Sequence, residues 1–132
     1  MHILCATDLS AEAKGAADVA AALAAKLNIP LRLVYCTEPF IAVGDGMVVP
    51  VDDTHVREQL AAETGRIRST GVDVVFELCH GSPPTEVAAS ARDPATALLV
   101  LGPVTAGLMA RFIAGSVAKQ TAEKAIVPTL IV

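Results

Sequence analysis

The chain has no tryptophan, one tyrosine and three phenylalanines, so aromatics make up 3% of its 132 residues. Platforms for single-stranded nucleic acid stack bases on aromatic faces, so that class is excluded. Basic clusters are missing too. Ten Lys and Arg face fourteen Asp and Glu, leaving a formal net charge of −4. That balance lacks the electrostatic footprint of a nucleic-acid binder, and no polybasic stretch is present for an anionic membrane. No apolar run approaches the roughly 20 residues of a membrane span. The Ala-rich stretch 16–27 is broken by Asp18 and Lys26, and the apolar run Ile3 to Ala6 is too short for a signal-peptide core. Cysteine is sparse: Cys5, Cys36 and Cys79 form an odd, widely spaced set. Such spacing argues against a disulfide frame and for buried thiols in a reducing compartment, so the expected location is the cytoplasm.

What is present is aliphatic. Hydrophobic residues are 53% and charged residues 18%, enough for one domain over 1–132 with a core of Ala, Val, Leu and Ile. His2 to Thr7 reads as a buried strand, and Ser10 as the N-cap of a helix over 11–27. Ala16, Val19, Ala20, Leu23 and Leu27 share one face of that helix, which Pro30 stops. Leu31 to Cys36 is a second strand. The connection from Thr37 to Val51 is long and unusually apolar, and is expected to cover something. Asp52 and Asp53 open a helix to about residue 70, with Val56, Leu60, Thr64 and Ile67 inward and Arg57, Glu58, Glu63, Arg66 and Arg68 solvated. Val72 to Leu78 is a third strand, and Asp73 and Glu77 mark it as an edge. A short helix over 84–92, a strand from Thr96 to Leu101, a helix from Ser116 to Ala125 and a last strand from Pro128 to Val132 complete the chain.

Strict β/α alternation with near-continuous apolar strands predicts a doubly wound, five-stranded parallel sheet, order 3-2-1-4-5, with helices on both faces. In such sheets ligands sit beyond the strand C-termini at the switch point, here between the first and fourth strands. Those two ends carry Thr7-Asp8 and Gly102. After Gly102 a glycine-containing loop runs to Gly115-Ser116 at a helix start, an arrangement that presents backbone N–H groups to a phosphate. Each element also has a structural reading. Ser116 as an N-cap is worth roughly 1 kcal/mol without a ligand, and Asp8 can serve the turn before the first helix.

These stretches resemble the universal stress protein family. The carrying residues are Ala6-Thr-Asp-Leu-Ser10, Gly81-Ser-Pro83, Leu98 to Gly102, Gly115-Ser-Val-Ala118 and Ala125-Ile-Val-Pro-Thr-Leu-Ile-Val132. The nucleotide-binding branch carries Gly, two residues, Gly, nine residues, then Gly and Ser or Thr. Gly102, Gly115 and Ser116 match, with residues 106–114 in the nine-residue gap, and Thr105 stands at the second glycine. The resemblance implies adenine-nucleotide binding in the stress response, with ATP held by Thr7, Asp8, the backbone of Cys36, Gly102, Thr105, Gly115, Ser116 and Val117. It implies no enzyme, no metal beyond a nucleotide-associated Mg, and a homodimer through Pro128 to Val132, with protein partners unspecified.

Pro103 removes an N–H donor, Val104 offers only its backbone, and Thr105 penalises a positive φ. Arg111 can supply a compensating charge-assisted contact. The alternative is a family member without nucleotide, acting as a dimeric protein-interaction module. Catalysis finds little: GxSxG is absent, and Cys79-His80 stands where a receiver domain ends its third strand in an aspartate. Cys36, Cys79 and His80 fall near strand ends, but lack the ligand spacing of a zinc site.

Overall fold

The computed structural model describes residues 1–37, 40–50, 52–102 and 127–132. Seven strands and three helices lie among them: β1 (His2–Ala6), α1 (Ala11–Leu27), β2 (Leu31–Thr37), β3 (Phe40–Val43), β4 (Met47–Pro50), α2 (Thr54–Arg68), β5 (Val74–His80), α3 (Pro83–Ala91), β6 (Thr96–Leu101) and β7 (Thr129–Ile131). The expected helix Ser116 to Ala125 lies outside the described residues.

Five strands form one sheet in the order β5-β2-β1-β6-β7, every pair parallel. This is the predicted doubly wound order, renumbered for a hairpin inserted after β2. β1 is buried along its whole length, as a strand covered on both faces must be. On one face α1 and α2 bury Ala16, Ala17, Ala20, Ala24 and Ile67 against Ile3, Cys5, Leu31, Leu33 and Val100. On the other, Val87 and Ala91 of α3 pack on Leu4, Ala6, Val34, Leu99 and Leu101. β5 lies at the edge that Asp73 and Glu77 indicated, with Val75 and Phe76 exposed.

Helix α1 starts as its sequence dictates, with the Ser10 hydroxyl accepting from Ala13 N at 3.1 Å. It ends at Asn28, in the left-handed conformation that asparagine tolerates, two residues before Pro30. Its buried face differs from the expected one. Ala13, Ala16, Ala17, Ala20, Ala21 and Ala24 face the sheet. Val19 is only half-buried and Leu27 is 57% exposed. The helix seats its smallest residues because that lets it lie closest to the strands. Larger side chains turn outward, although hydrophobicity alone would place them inside.

Two further expectations are corrected. The 37–51 connection contains an antiparallel hairpin, β3 with β4, in register from Phe40–Pro50 to Val43–Met47. Gly44 and Gly46 supply the positive φ values of its turn, 60° and 76°. Glu63 is buried rather than solvated. Its carboxylate accepts from Arg66 Nε at 3.0 Å and Nη2 at 2.6 Å, while Arg66 Nη1 reaches Asp18 on α1 at 2.7 Å. The bidentate fork satisfies the buried carboxylate and ties α2 to α1.

At the N-terminal end of the sheet, buried His2 sits with Nε2 3.1 Å from the Thr96 hydroxyl, which also donates to Ser90 O. Burial, with Arg32 and the N-terminal amine nearby, lowers its pKa, against the opposing pull of Asp93 and Glu77. The unfolded chain therefore takes up this proton before the folded one does. The contribution is fully present above about pH 6.5 and is lost as pH falls through the lowered folded value. Urea unfolding at pH 7.5 and 5.5 should show a loss of stability that is smaller in His2→Gln. Equal pH slopes in the two proteins would refute this. The α1 face is checked by Ala20→Leu, expected to cost about 1–3 kcal/mol through overpacking. Leu27→Gln should change stability by no more than about 0.5 kcal/mol. Equal costs would mean the helix is seated otherwise.

Candidate functional site

β1 and β6 are adjacent and parallel, so their C-termini release the chain side by side. Thr7-Asp8 leaves one strand and Gly102 leaves the other, which is the junction anticipated from the sequence. Register puts a step at this junction. The β1–β2 ladder ends at Ala6 and Val34, with Thr7 N donating to Val34 O at 2.9 Å. β2 continues to Thr37, paired on its far side with Leu78, Cys79 and His80 of β5. Three residues of β2 therefore stand above the end of β1 as a wall roughly 10 Å long. The backbone of Cys36 lies along that wall. Its side chain is buried in the cluster beneath α3.

The turn after β1 is locked by its own side chains. Buried Thr7 accepts from Leu9 N through its hydroxyl at 3.0 Å. Asp8 Oδ1 accepts from Ser10 N, also at 3.0 Å, and Ser10 then caps α1. Leu9 is held at a φ of 64°, a strained conformation for a branched side chain. The consequence is chemical. The turn's own side chains thus occupy the N–H groups of Leu9, Ser10 and Ala13. Among the described residues none hydrogen-bonds the second oxygen of Asp8. A carboxylate oxygen is an acceptor, suited to a hydroxyl or amino donor and repulsive to phosphate.

Gly102 is buried against the start of α1. A Cβ there would stand 3.7 Å from Ala13 Cα and 3.9 Å from Ala16 Cβ, ordinary van der Waals contact. The described neighbours therefore do not themselves demand glycine. Thr105, Gly115, Ser116 and Val117, with Pro103, Val104 and Arg111, lie outside the described residues.

Sequence reasoning missed Tyr35. It is half-buried on the projecting part of β2, and burial raises its phenol pKa, with the Asp8 carboxylate adding to the effect. Its place one residue before Cys36, at a strand C-terminus, was the available signal. The pair Asp52-Asp53 is a helix-start device. Asp52 Oδ1 accepts from Thr54 N at 3.0 Å and Thr54 Oγ1 at 2.7 Å, while Asp53 pairs with Arg57 at 3.3 Å. No group of three or more His, Cys, Asp or Glu side chains converges among the described residues. A groove of about 370 Å³ between α1 and α2, lined mainly by Ala21, Ala22, Ala25, Ile67 and Val72, lies away from the strand C-termini.

Gly81 closes the β5 side of this rim, its N–H donating to Thr37 O at 2.9 Å. Its φ is 145°, and a Cβ would approach Glu86 Oε1 to 2.8 Å. The Glu86 carboxylate can swing aside, but the backbone strain remains. Gly81→Ala should destabilise the chain by about 1–3 kcal/mol in denaturant titration. An unchanged midpoint would mean the turn relaxes freely.

No curated protein sequence matches the chain. Solved structures do. One is a universal stress protein family member from Burkholderia pseudomallei, 25% identical, TM-score 0.69, covering 99% of this chain and 94% of that one. A universal stress protein in complex with cAMP is 22% identical, TM-score 0.74, covering 100% and 95%. The universal stress protein from Archaeoglobus fulgidus in complex with dAMP is 24% identical, TM-score 0.70, covering 99% and 96%. The sequence profile of the universal stress protein family matches residues 1–132, and the parallel sheet with its paired β1 and β6 ends is the fold of those structures: the chain belongs to the universal stress protein family.

Proposed function

We propose that this chain binds an adenine nucleotide in the crevice above the ends of β1 and β6, as part of a stress response. The observation that carries the reading is the step between β1 and β2. It leaves the backbone of Cys36 beyond the β1 ladder, beside the Asp8 acceptor and Tyr35. A backbone N–H donor beside a C=O acceptor on a strand wall suits the edge of a base, and a carboxylate suits sugar hydroxyls. Phosphates then belong on the opposite side, toward the chain that follows Gly102. There Thr105, Gly115, Ser116 and Val117 enter on their sequence spacing. The structural neighbours holding cAMP and dAMP support an adenine ligand. ATP with an accompanying Mg is the specific form we favour, and the function is binding rather than catalysis.

The same reading places the protein in the cytoplasm as a homodimer. Among the described residues β7 is the edge strand of the sheet, with Leu130 and Ile131 exposed, and pairing with a second copy would cover both. A second reading, an interaction module that holds no nucleotide, draws on the hairpin, where Phe40, Met47 and Val48 are 56%, 65% and 61% exposed.

Calorimetry with ATP, AMP and cAMP, joined to analysis of nucleotide released on denaturation, separates the two. Binding in the micromolar range is expected for ATP. Asp8→Ala should weaken it at least about tenfold, close to 1.4 kcal/mol, without changing the melting temperature of the ligand-free protein by more than a few degrees. No heat at millimolar ATP, together with no carried nucleotide, would leave the interaction module standing. Light scattering on the same samples reads the dimer.

A further inference from the structure

The three cysteines are not equivalent. Cys5 points into the α1 and α2 face and is fully buried, its thiol pKa pushed up to about 12. Cys36 and Cys79 occupy the opposite face and are register partners on the neighbouring parallel strands β2 and β5. Strands lie about 4.8 Å apart, and directly opposed residues point the same way. That spacing falls within the roughly 4.4–6.8 Å between Cα atoms that a disulfide spans. Both thiols are free, and each influences the other's pKa. Cys36 is 5% exposed, whereas Cys79 is half-buried with Sγ 3.6 Å from Glu77 Oε1.

We propose that Cys36 and Cys79 form a cross-strand dithiol that low-molecular-weight disulfides oxidise to an intramolecular disulfide, locking edge strand β5 onto β2. Cys79 reacts first because only it is accessible. Its thiolate attacks one sulfur of the small disulfide, forming a mixed disulfide and expelling one small thiolate. The Cys36 thiolate then attacks Cys79 Sγ, forming the protein disulfide and expelling the second. The two protons lost by the cysteines end on the two small thiols, and the two electrons lost by the pair reduce the small disulfide. Burial, with Glu77 and Glu86 nearby, keeps both thiols protonated, so the exchange is slow and needs sustained oxidant. The inference does not depend on the nucleotide reading, which uses only the backbone of Cys36.

The test incubates the reduced, native full chain with excess oxidised glutathione. Remaining thiols are alkylated and the disulfides located by peptide mass mapping. The expected product is a single Cys36–Cys79 link, with Cys5 alkylated only after denaturation. Closing this loop should raise the melting temperature by on the order of 5–15 °C. Cys36→Ser should trap glutathione on Cys79 as a stable mixed disulfide, and Cys79→Ser should leave Cys36 reduced. Three results would each overturn the proposal: glutathione retained on Cys79 of the unsubstituted chain, cross-linking between chains through Cys79, or three free thiols after prolonged oxidation.

Discussion

Strand β1 is the constraint on which the molecule depends. It is covered on both faces and paired along both edges, by β2 on one side and β6 on the other. Every side chain from His2 to Ala6 is buried, so the strand has no freedom to slide: a one-residue slip would exchange the contents of the two cores. Fixing β1 fixes where the chain must leave the sheet. It leaves at Thr7, at the junction where connections depart in opposite directions, and there the sheet cannot close over itself.

The crevice takes its character from what surrounds that exit. α1 lies close to the strands because its sheet-facing side is alanine, and Glu63, Arg66 and Asp18 hold α2 against α1. The turn between β1 and α1 uses its hydroxyl and carboxylate groups on its own backbone. The junction holds the Asp8 carboxylate after β1 and Gly102 after β6. The projecting end of β2 stands beside it.

Much of this was legible in the sequence. Unbroken apolar runs announced buried parallel strands, Ser10 and Pro30 bracketed α1, and Asp73 with Glu77 marked the β5 edge. The misreadings share a cause. Val19 and Leu27 were assigned inward on hydrophobicity, but the space between helix and sheet admits alanine, and that space belongs to the packed structure. Glu63 looked solvated because a charge normally is, and its burial rests on an arginine fork that spacing alone did not single out. The β3–β4 hairpin stands where a loop is expected, although Gly44-Asp45-Gly46 between apolar runs carries its signal.

The sequence by itself determined the alternation of strands and helices, and hence the parallel sheet and its switch point, because these follow from local periodicity and from the handedness of crossovers. It also determined that Thr7-Asp8 and Gly102 would meet, since any such sheet brings them together. Register was decided only in the tertiary structure. How far β2 runs past β1, that Tyr35 stands near Asp8, and that Cys36 faces Cys79 across 43 positions of chain all depend on which residues pair. Pairing is settled by side chains packing on both faces of the sheet at once, and no single stretch of sequence contains both faces.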